Sequence, residues 1–370
     1  MTATPLHDTD HHAFASDNYA GVHPDVMAAI VASNGGHLPP YGADMYTERL
    51  REVIRSQFGE RAEIYPVFNG TGANVVALSA ALPRGAAVVA PATAHINTSE
   101  GAAPEHVSGI KILGVDSADG KLTADDVAAA VGDLGDEQRA QPAAVSITQV
   151  TELGTLYTVD EIRSICEVAH AHGMTVHVDG SRLWNAAAAL DIEFRAFTTD
   201  VGVDVVSLGG TKNGALGAEA VLVLDPDRIG RVGYLRKAST QLTSKMRFSS
   251  AQFLALFDDD LGVRNARHAN AMTARLRAAL ESAMAEGTLP GFSFSQESPA
   301  NAAFARLPFG MAERIRATVH FYDWDPSRSE VRWMTAWDTR AEDVDHFVAA
   351  IIDAFAATAD GPATADANEW

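Results

Sequence analysis

Short apolar runs alternate with helical patterns between about residues 63 and 225, and that order predicts an α/β fold. The runs are continuously apolar rather than alternating, which predicts a large, mainly parallel sheet covered on both faces. Beyond about residue 250 long amphipathic helices surround two further strand candidates, so a smaller C-terminal α/β domain follows.

In chain order the strand candidates are "AEIYPVF", "AAVVA", "IKILGV", "AAVSIT", "MTVHVD", "DVVSLGG" and "AVLVLD". Between the fourth and fifth lies "TVDEIRSICEVAHAHG", where Thr158 and Glu161 form a capping box and Gly173 stops the helix. Its apolar face carries Ile162, Ile165, Cys166 and Ala169, so the helix is expected to pack flat on the sheet. In the second half the helices are "VRNARHANAMTARLRAAL" and "AEDVDHFVAAIIDAFAA", and the strands are "NAAFARL" and "VRWMTAW". The expected division is an N-terminal arm over 1–20, a large domain over 21–250, a small domain over 251–358 and a disordered tail over 359–370.

Composition narrows the function class. Twenty-eight Lys and Arg against 48 Asp and Glu give a net charge of −20, which argues against nucleic acid or an anionic membrane as partner. One cysteine, Cys166, allows no intrachain disulfide and fits a reducing compartment. The start, "MTATPLHDTDHH", lacks the basic and apolar regions of a signal peptide, and no stretch approaches the roughly 20 apolar residues of a membrane span. A cytoplasmic protein is expected. The early histidines read as a mobile polar arm, and His170 and His172 point to different faces of their helix, so no metal site is expected.

In an open parallel sheet the ligand site lies beyond the carboxyl ends of the strands, which makes the residues just after them the informative ones. After "IYPVF", Gly70, Thr71 and Gly72 open a helix whose free N–H groups suit an anion. A tight structural turn explains the same glycines. After "MTVHV" comes Asp179, either a helix cap or a carboxylate oriented by His177 on the same strand face. After "DVVSLGG" comes Lys212, either a solvated residue in a glycine turn or an amine delivered into a cleft as a nucleophile. Together a phosphate cradle, a buried acid and a strand-end lysine are the three fixtures pyridoxal phosphate (PLP) requires.

Ordered matches then cover nearly the whole chain: "FASDNYAG", "YGAD", "FNGTGAN", "TAHINTSEGAAPE", "TQVTELGTLYT", "VHVDGSRLWNA", "GVDVVSLGGTKNGALGAEA", "SKMRF" and "VRWMTAWDT". On these the sequence resembles the low-specificity L-threonine aldolases of the β-eliminating lyase family, with the aspartate-aminotransferase-like fold (PLP fold type I). The resemblance implies PLP as cofactor and cleavage of L-threonine, L-allo-threonine and related β-hydroxy-α-amino acids to glycine and an aldehyde. It implies Lys212 as the Schiff-base lysine, Asp179 on the pyridine nitrogen, His95 stacked on the ring, and Gly70, Thr71 and Gly72 on the phosphate. Ser16, Arg182 and Arg332 would grip the substrate carboxylate. Arg182, Lys237 and Arg247 would also contact the cofactor and Tyr41 the substrate; Tyr41, Lys237 and Arg247 match residues that relatives place across a subunit interface, which implies a homo-oligomer, a dimer or a homotetramer.

The chain departs from the family pattern at two points. Glu152, in "QVTELG", stands near the place where many relatives carry a histidine, and Ala43 in "YGAD" replaces a common Asp. The general base is therefore open among His95, Glu152 and an ordered water. Other PLP chemistries on the same fold, a non-catalytic PLP-fold binding protein, and a metal hydrolase using His177 and Asp179 are the rival readings.

Overall fold

Each of the seven N-terminal apolar runs forms a strand: β1 (Glu63–Val67), β2 (Ala87–Pro91), β3 (Lys111–Val115), β4 (Pro142–Thr148), β5 (Thr175–Gly180), β6 (Val205–Gly209) and β7 (Glu219–Val223). They make one sheet in the order β1-β7-β6-β5-β4-β2-β3. The five strands from β3 to β6 are parallel, whereas β7 runs antiparallel to both β6 and β1. Every residue of β2, β5, β6 and β7 is buried, because helices cover both faces and leave no solvent side to require alternation. The structure is a computed structural model and describes residues 5–359.

The capping box at Thr158 and Glu161 opens the helix Val159–Ala171, which buries Ile162, Ile165, Cys166 and Ala169 against the sheet. Gly173 follows with φ 73°, the left-handed geometry that ends a helix at little cost when no Cβ is present.

Four antiparallel strands form a second sheet: β8 (Ser293–Phe294), β9 (Ala302–Arg306), β10 (Tyr322–Asp325) and β11 (Glu330–Met334), in the order β10-β11-β9-β8. The helices Leu261–Ala285 and Ala341–Ala359 pack with it around Trp333 and Phe347. Phe14 belongs to this core, stacked on Phe347 with ring centroids 4.4 Å apart. Its N–H donates to His320 O (3.0 Å) and its carbonyl accepts from Met334 N (2.9 Å). The N-terminal segment is thus stitched across the end of β11, which carries Ser16 and Asp17 toward the large sheet. His12 is hydrogen-bonded to Asp343 (2.5 Å), so the segment expected to be a mobile arm is docked at that point. All but Ala359 of the expected tail lies outside the described residues.

Candidate active site

Strands β4, β5 and β6 run in parallel and end at one edge, and the turns beyond them carry Glu152, Arg182 and Lys212. Two glycines set the closeness of the last two turns. A Cβ on Gly209 would lie 2.7 Å from Ser181 O, and one on Gly180 would lie 2.9 Å from Ser207 O, so any larger residue would push the strand ends apart.

Asp179 is buried on β5. Its Oδ1 accepts from the N–H (3.0 Å) and hydroxyl (2.6 Å) of Ser181, and its Oδ2 accepts from Asn74 Nδ2 (2.9 Å). Burial alone would push this carboxyl up, but those hydrogen bonds and the charge of Lys212 outweigh it and hold it below the usual carboxylate range. His177 does not orient it. The buried imidazole bonds Ser146 Oγ through Nδ1 and Ser207 Oγ through Nε2, both at 2.9 Å, and burial pushes it down to about 4, so it is neutral. Asn74 and Ser181 take the orienting part expected of His177.

Lys212 sits in the short helical turn Thr211–Asn213 and has no ion-pair or hydrogen-bond partner among the described residues. Burial, then the nearby Arg182, lower its pKa, against Asp17, Asp179 and Glu219, which favour the ammonium. Glu219, at the start of β7, is buried and accepts from Thr211 N (3.2 Å).

Arg182 gives its fork to Asp17: Nε donates to Oδ2 at 2.7 Å and Nη2 to Oδ1 at 2.9 Å. Asn301 adds a third bond to the same carboxylate (3.1 Å). Arg182, expected to grip the substrate carboxylate, is held by this pair through Nε and Nη2, as a buried guanidinium and carboxylate pair when brought together. Arg332, on β11, is less committed. Its Nη2 reaches Ala15 O at 3.5 Å, its Nε is buried with no partner, and burial together with Arg182 brings its pKa down to about 10. Ser16 lies beside Asp17, its hydroxyl accepting from Asn18 N (3.2 Å).

Glu152 is anchored by one oxygen. Oε1 accepts from Thr148 Oγ1 and from His95 N, both at 2.8 Å, while Oε2 is buried without a partner. Burial, then the charge of Asp179, push its pKa up to about 7. His95 opens a short helix, His95–Thr98, with its ring partly exposed and Nδ1 on Glu100 Oε1 (2.7 Å).

Gly70, Thr71 and Gly72 form the first turn of the helix Gly70–Ala81. Asn69 caps it by accepting from Gly72 N (2.7 Å), which leaves the N–H groups of Gly70 and Thr71 for another partner. The side chain of Gln241 packs so closely on Gly72 that a Cβ there would lie 2.2 Å from its carboxamide carbon. Tyr41, Lys237 and Arg247 make other contacts. Lys237 stands over the Tyr41 ring (5.6 Å) and Arg247 donates to Gly36 O (3.3 Å). Among the described residues no hydrogen bond joins them to Asp179, Lys212, Arg182 or Arg332.

Sequence reasoning missed Asp17, Asn74, Glu100 and Glu219. Each had a signal: Asp17 adjoins Ser16, Asn74 lies one helical turn after Gly70, Glu100 follows His95 by five residues, and Glu219 is a lone acid in an apolar run.

This arrangement, a buried acid at the carboxyl end of β5 and an uncommitted lysine beyond β6 of a mainly parallel sheet, belongs to an α/β enzyme of the aspartate-aminotransferase-like fold. A Leishmania major threonine aldolase structure superposes with a TM-score of 0.86 at 27% identity, covering 93% of this chain and 100% of that one. A Sphingomonas wittichii serine palmitoyltransferase, 15% identical with a TM-score of 0.68 over 94% of this chain and 88% of its own, shares the fold. The family model of the beta-eliminating lyases matches residues 13–290. A low specificity L-threonine aldolase of Pseudomonas aeruginosa is 37% identical over 338 residues, 91% of this chain and 96% of the relative. The chain belongs to the beta-eliminating lyase family. No helix of the described residues is long and apolar enough to cross a membrane.

Proposed function

We propose that the protein is a PLP-dependent aldehyde-lyase that cleaves L-threonine, L-allo-threonine and related β-hydroxy-α-amino acids to glycine and an aldehyde. The observation that carries this reading is Lys212, a partly buried amine without an ion-pair partner among the described residues, beyond the end of β6 and within the influence of Arg182, Asp17 and Asp179. The residues present fit PLP. Lys212 would hold it by its amine, the first turn of Gly70–Ala81 its phosphate, Asp179 its ring nitrogen, and His95 would stack on the ring. PLP, when bound, would supply the electron sink that lets a Cα–Cβ bond break.

The chain's own groups supply the rest. Arg332, with a buried and unpartnered Nε, is the group able to take the substrate carboxylate, a guanidinium fork being shaped for that anion. Arg182, positioned by Asp17 through Nε and Nη2, and Ser16 beside Asp17 would share that grip. Glu152 would accept the β-hydroxyl proton: Oε1 is anchored, Oε2 is free to meet a donor, and a carboxyl raised to about 7 is both basic enough to accept and acidic enough to release. The exposed Tyr41 and Lys237 support a homo-oligomer whose subunits share the site, and the single cysteine supports a cytoplasmic setting.

The test is to add L-threonine to purified protein while recording its visible spectrum and products, and to map the peptide labelled by borohydride. The expected outcome is a perturbed PLP band, glycine and aldehyde in equal amounts, and a label on Lys212. A label on Lys237 or Lys245, or a keto acid with ammonia in place of glycine, overturns it.

A further inference from the structure

Two buried residues with no part in the reading above join two residues that have one. Asn74 Nδ2 donates to Asp179 Oδ2 (2.9 Å) and to Glu100 Oε1 (2.7 Å). The same Glu100 oxygen bonds His95 Nδ1 (2.7 Å), so a continuous chain runs His95–Glu100–Asn74–Asp179. Glu100 has no exposed side-chain surface.

The chemistry of the four groups fixes their orientation. Both partners of Asn74 are carboxylates, which only accept, so its NH2 must face them and its two hydrogens are both used. A carboxylate this buried is costly unless paired, and the partners of Glu100 are this amide and the imidazole. His95 therefore keeps its hydrogen on Nδ1, and the ring's other edge presents Nε2.

Building on the functional reading, we propose that Glu100 is a positioning residue for His95: it holds the imidazole with Nδ1–H toward the protein and Nε2 outward, and Asn74 ties that setting to Asp179. The surrounding charges act in the same sense. The Glu100 hydrogen bond raises the pKa of His95 against burial, the charges of Asp179 and Glu100 add to it, and Lys212 opposes. Glu152 touches the same residue, but through its backbone N–H.

The test is an NMR titration of the imidazoles in histidine-labelled holoenzyme, with His95→Asn used to assign the His95 signal. The wild-type midpoint is expected above the ordinary value of about 6.5. Glu100→Gln keeps an oxygen toward Nδ1 but loses the charge, and should lower that midpoint by about one pH unit or more with PLP still bound. A wild-type midpoint at or below the ordinary value, or one unchanged in Glu100→Gln, overturns the proposal. Should Glu100→Gln fail to fold, the wild-type midpoint decides alone. The readout is the imidazole itself, so a protein that bound no PLP would break the functional reading while the Glu100 result still stood or fell separately.

Discussion

Asp204 and Asp179 lie at opposite ends of the same two strands, both buried and both hydrogen-bonded, and their surroundings differ in kind. Asp204 precedes β6 at its amino end, where Oδ2 accepts from Val176 N (2.7 Å) and from His170 Nε2 (3.0 Å), with Arg228 3.7 Å from Oδ1. Those bonds lock the start of β5 to the helix Val159–Ala171, and burial still leaves the carboxyl raised above its ordinary value. Asp179, at the carboxyl end, is held below its ordinary value although equally buried. Among the described residues the groups of the candidate site have unmet capacity: Lys212 without an ion pair, Glu152 with one unpartnered oxygen, Arg332 with one unpartnered N–H. A fold settles its structural charges in pairs, and unpaired buried groups gathered at one end of a sheet mark where a ligand completes the set.

The comparison breaks most sharply at Asp179. Asp179→Asn keeps the size of the side chain and removes the charge, so the folded protein should bind PLP yet lose about 100- to 1000-fold in kcat, the scale of removing one preorganised electrostatic partner. Steady-state aldehyde release checks this. Near-normal turnover would place Asp179 with Asp204 among the structural acids.

A smaller effect is expected at Arg332. Arg332→Ala should lower kcat/KM by about tenfold to a hundredfold, the range of a charge-assisted hydrogen bond. Most of the loss should appear in KM, because the carboxylate is held before and during the reaction. An unchanged KM would make Arg332 a structural cation packed on Trp324, whose ring lies 5.4 Å from the guanidinium carbon.

Much of this contrast was legible in the sequence, because both the strands and the residues after them are local signals. Apolar runs named all seven strands of the large sheet, and strand-end position alone singled out Asp179 and Lys212. What escaped depends on neighbours distant in sequence. Asp17 meets Arg182 only because Phe14 docks against the second sheet. The reading of His177 went astray for a geometric reason: residues two apart on a strand are about 6.6 Å apart, whereas a neighbouring strand lies about 4.8 Å away. Ser146, opposite His177 on β4, therefore reaches the imidazole, Ser207 reaches it diagonally from β6, and Asp179 does not. Strands β8 and β10 escaped because one has two residues and the other, "YDWD", has no apolar run to announce it.

The smallest effect on catalysis is expected at the amino end, and it is the control for the whole contrast. Asp204→Ala removes the acceptor of Val176 N and of His170, leaving a buried N–H unpaired, so stability should fall by about 1–3 kcal/mol. Yet Asp204 is separated from Asp179 by the length of β5, and the hydrogen bonds that hold Asp179 come from Asn74 and Ser181. The variant should melt at a lower temperature while the surviving folded enzyme keeps kcat and KM within about twofold, as additivity of distant sites requires. Thermal unfolding and steady-state kinetics on one preparation separate the two. A loss of kcat as large as that of Asp179→Asn, in protein shown to be folded, would mean that the two ends of the strands are coupled and that pairing alone does not divide structural from functional acids.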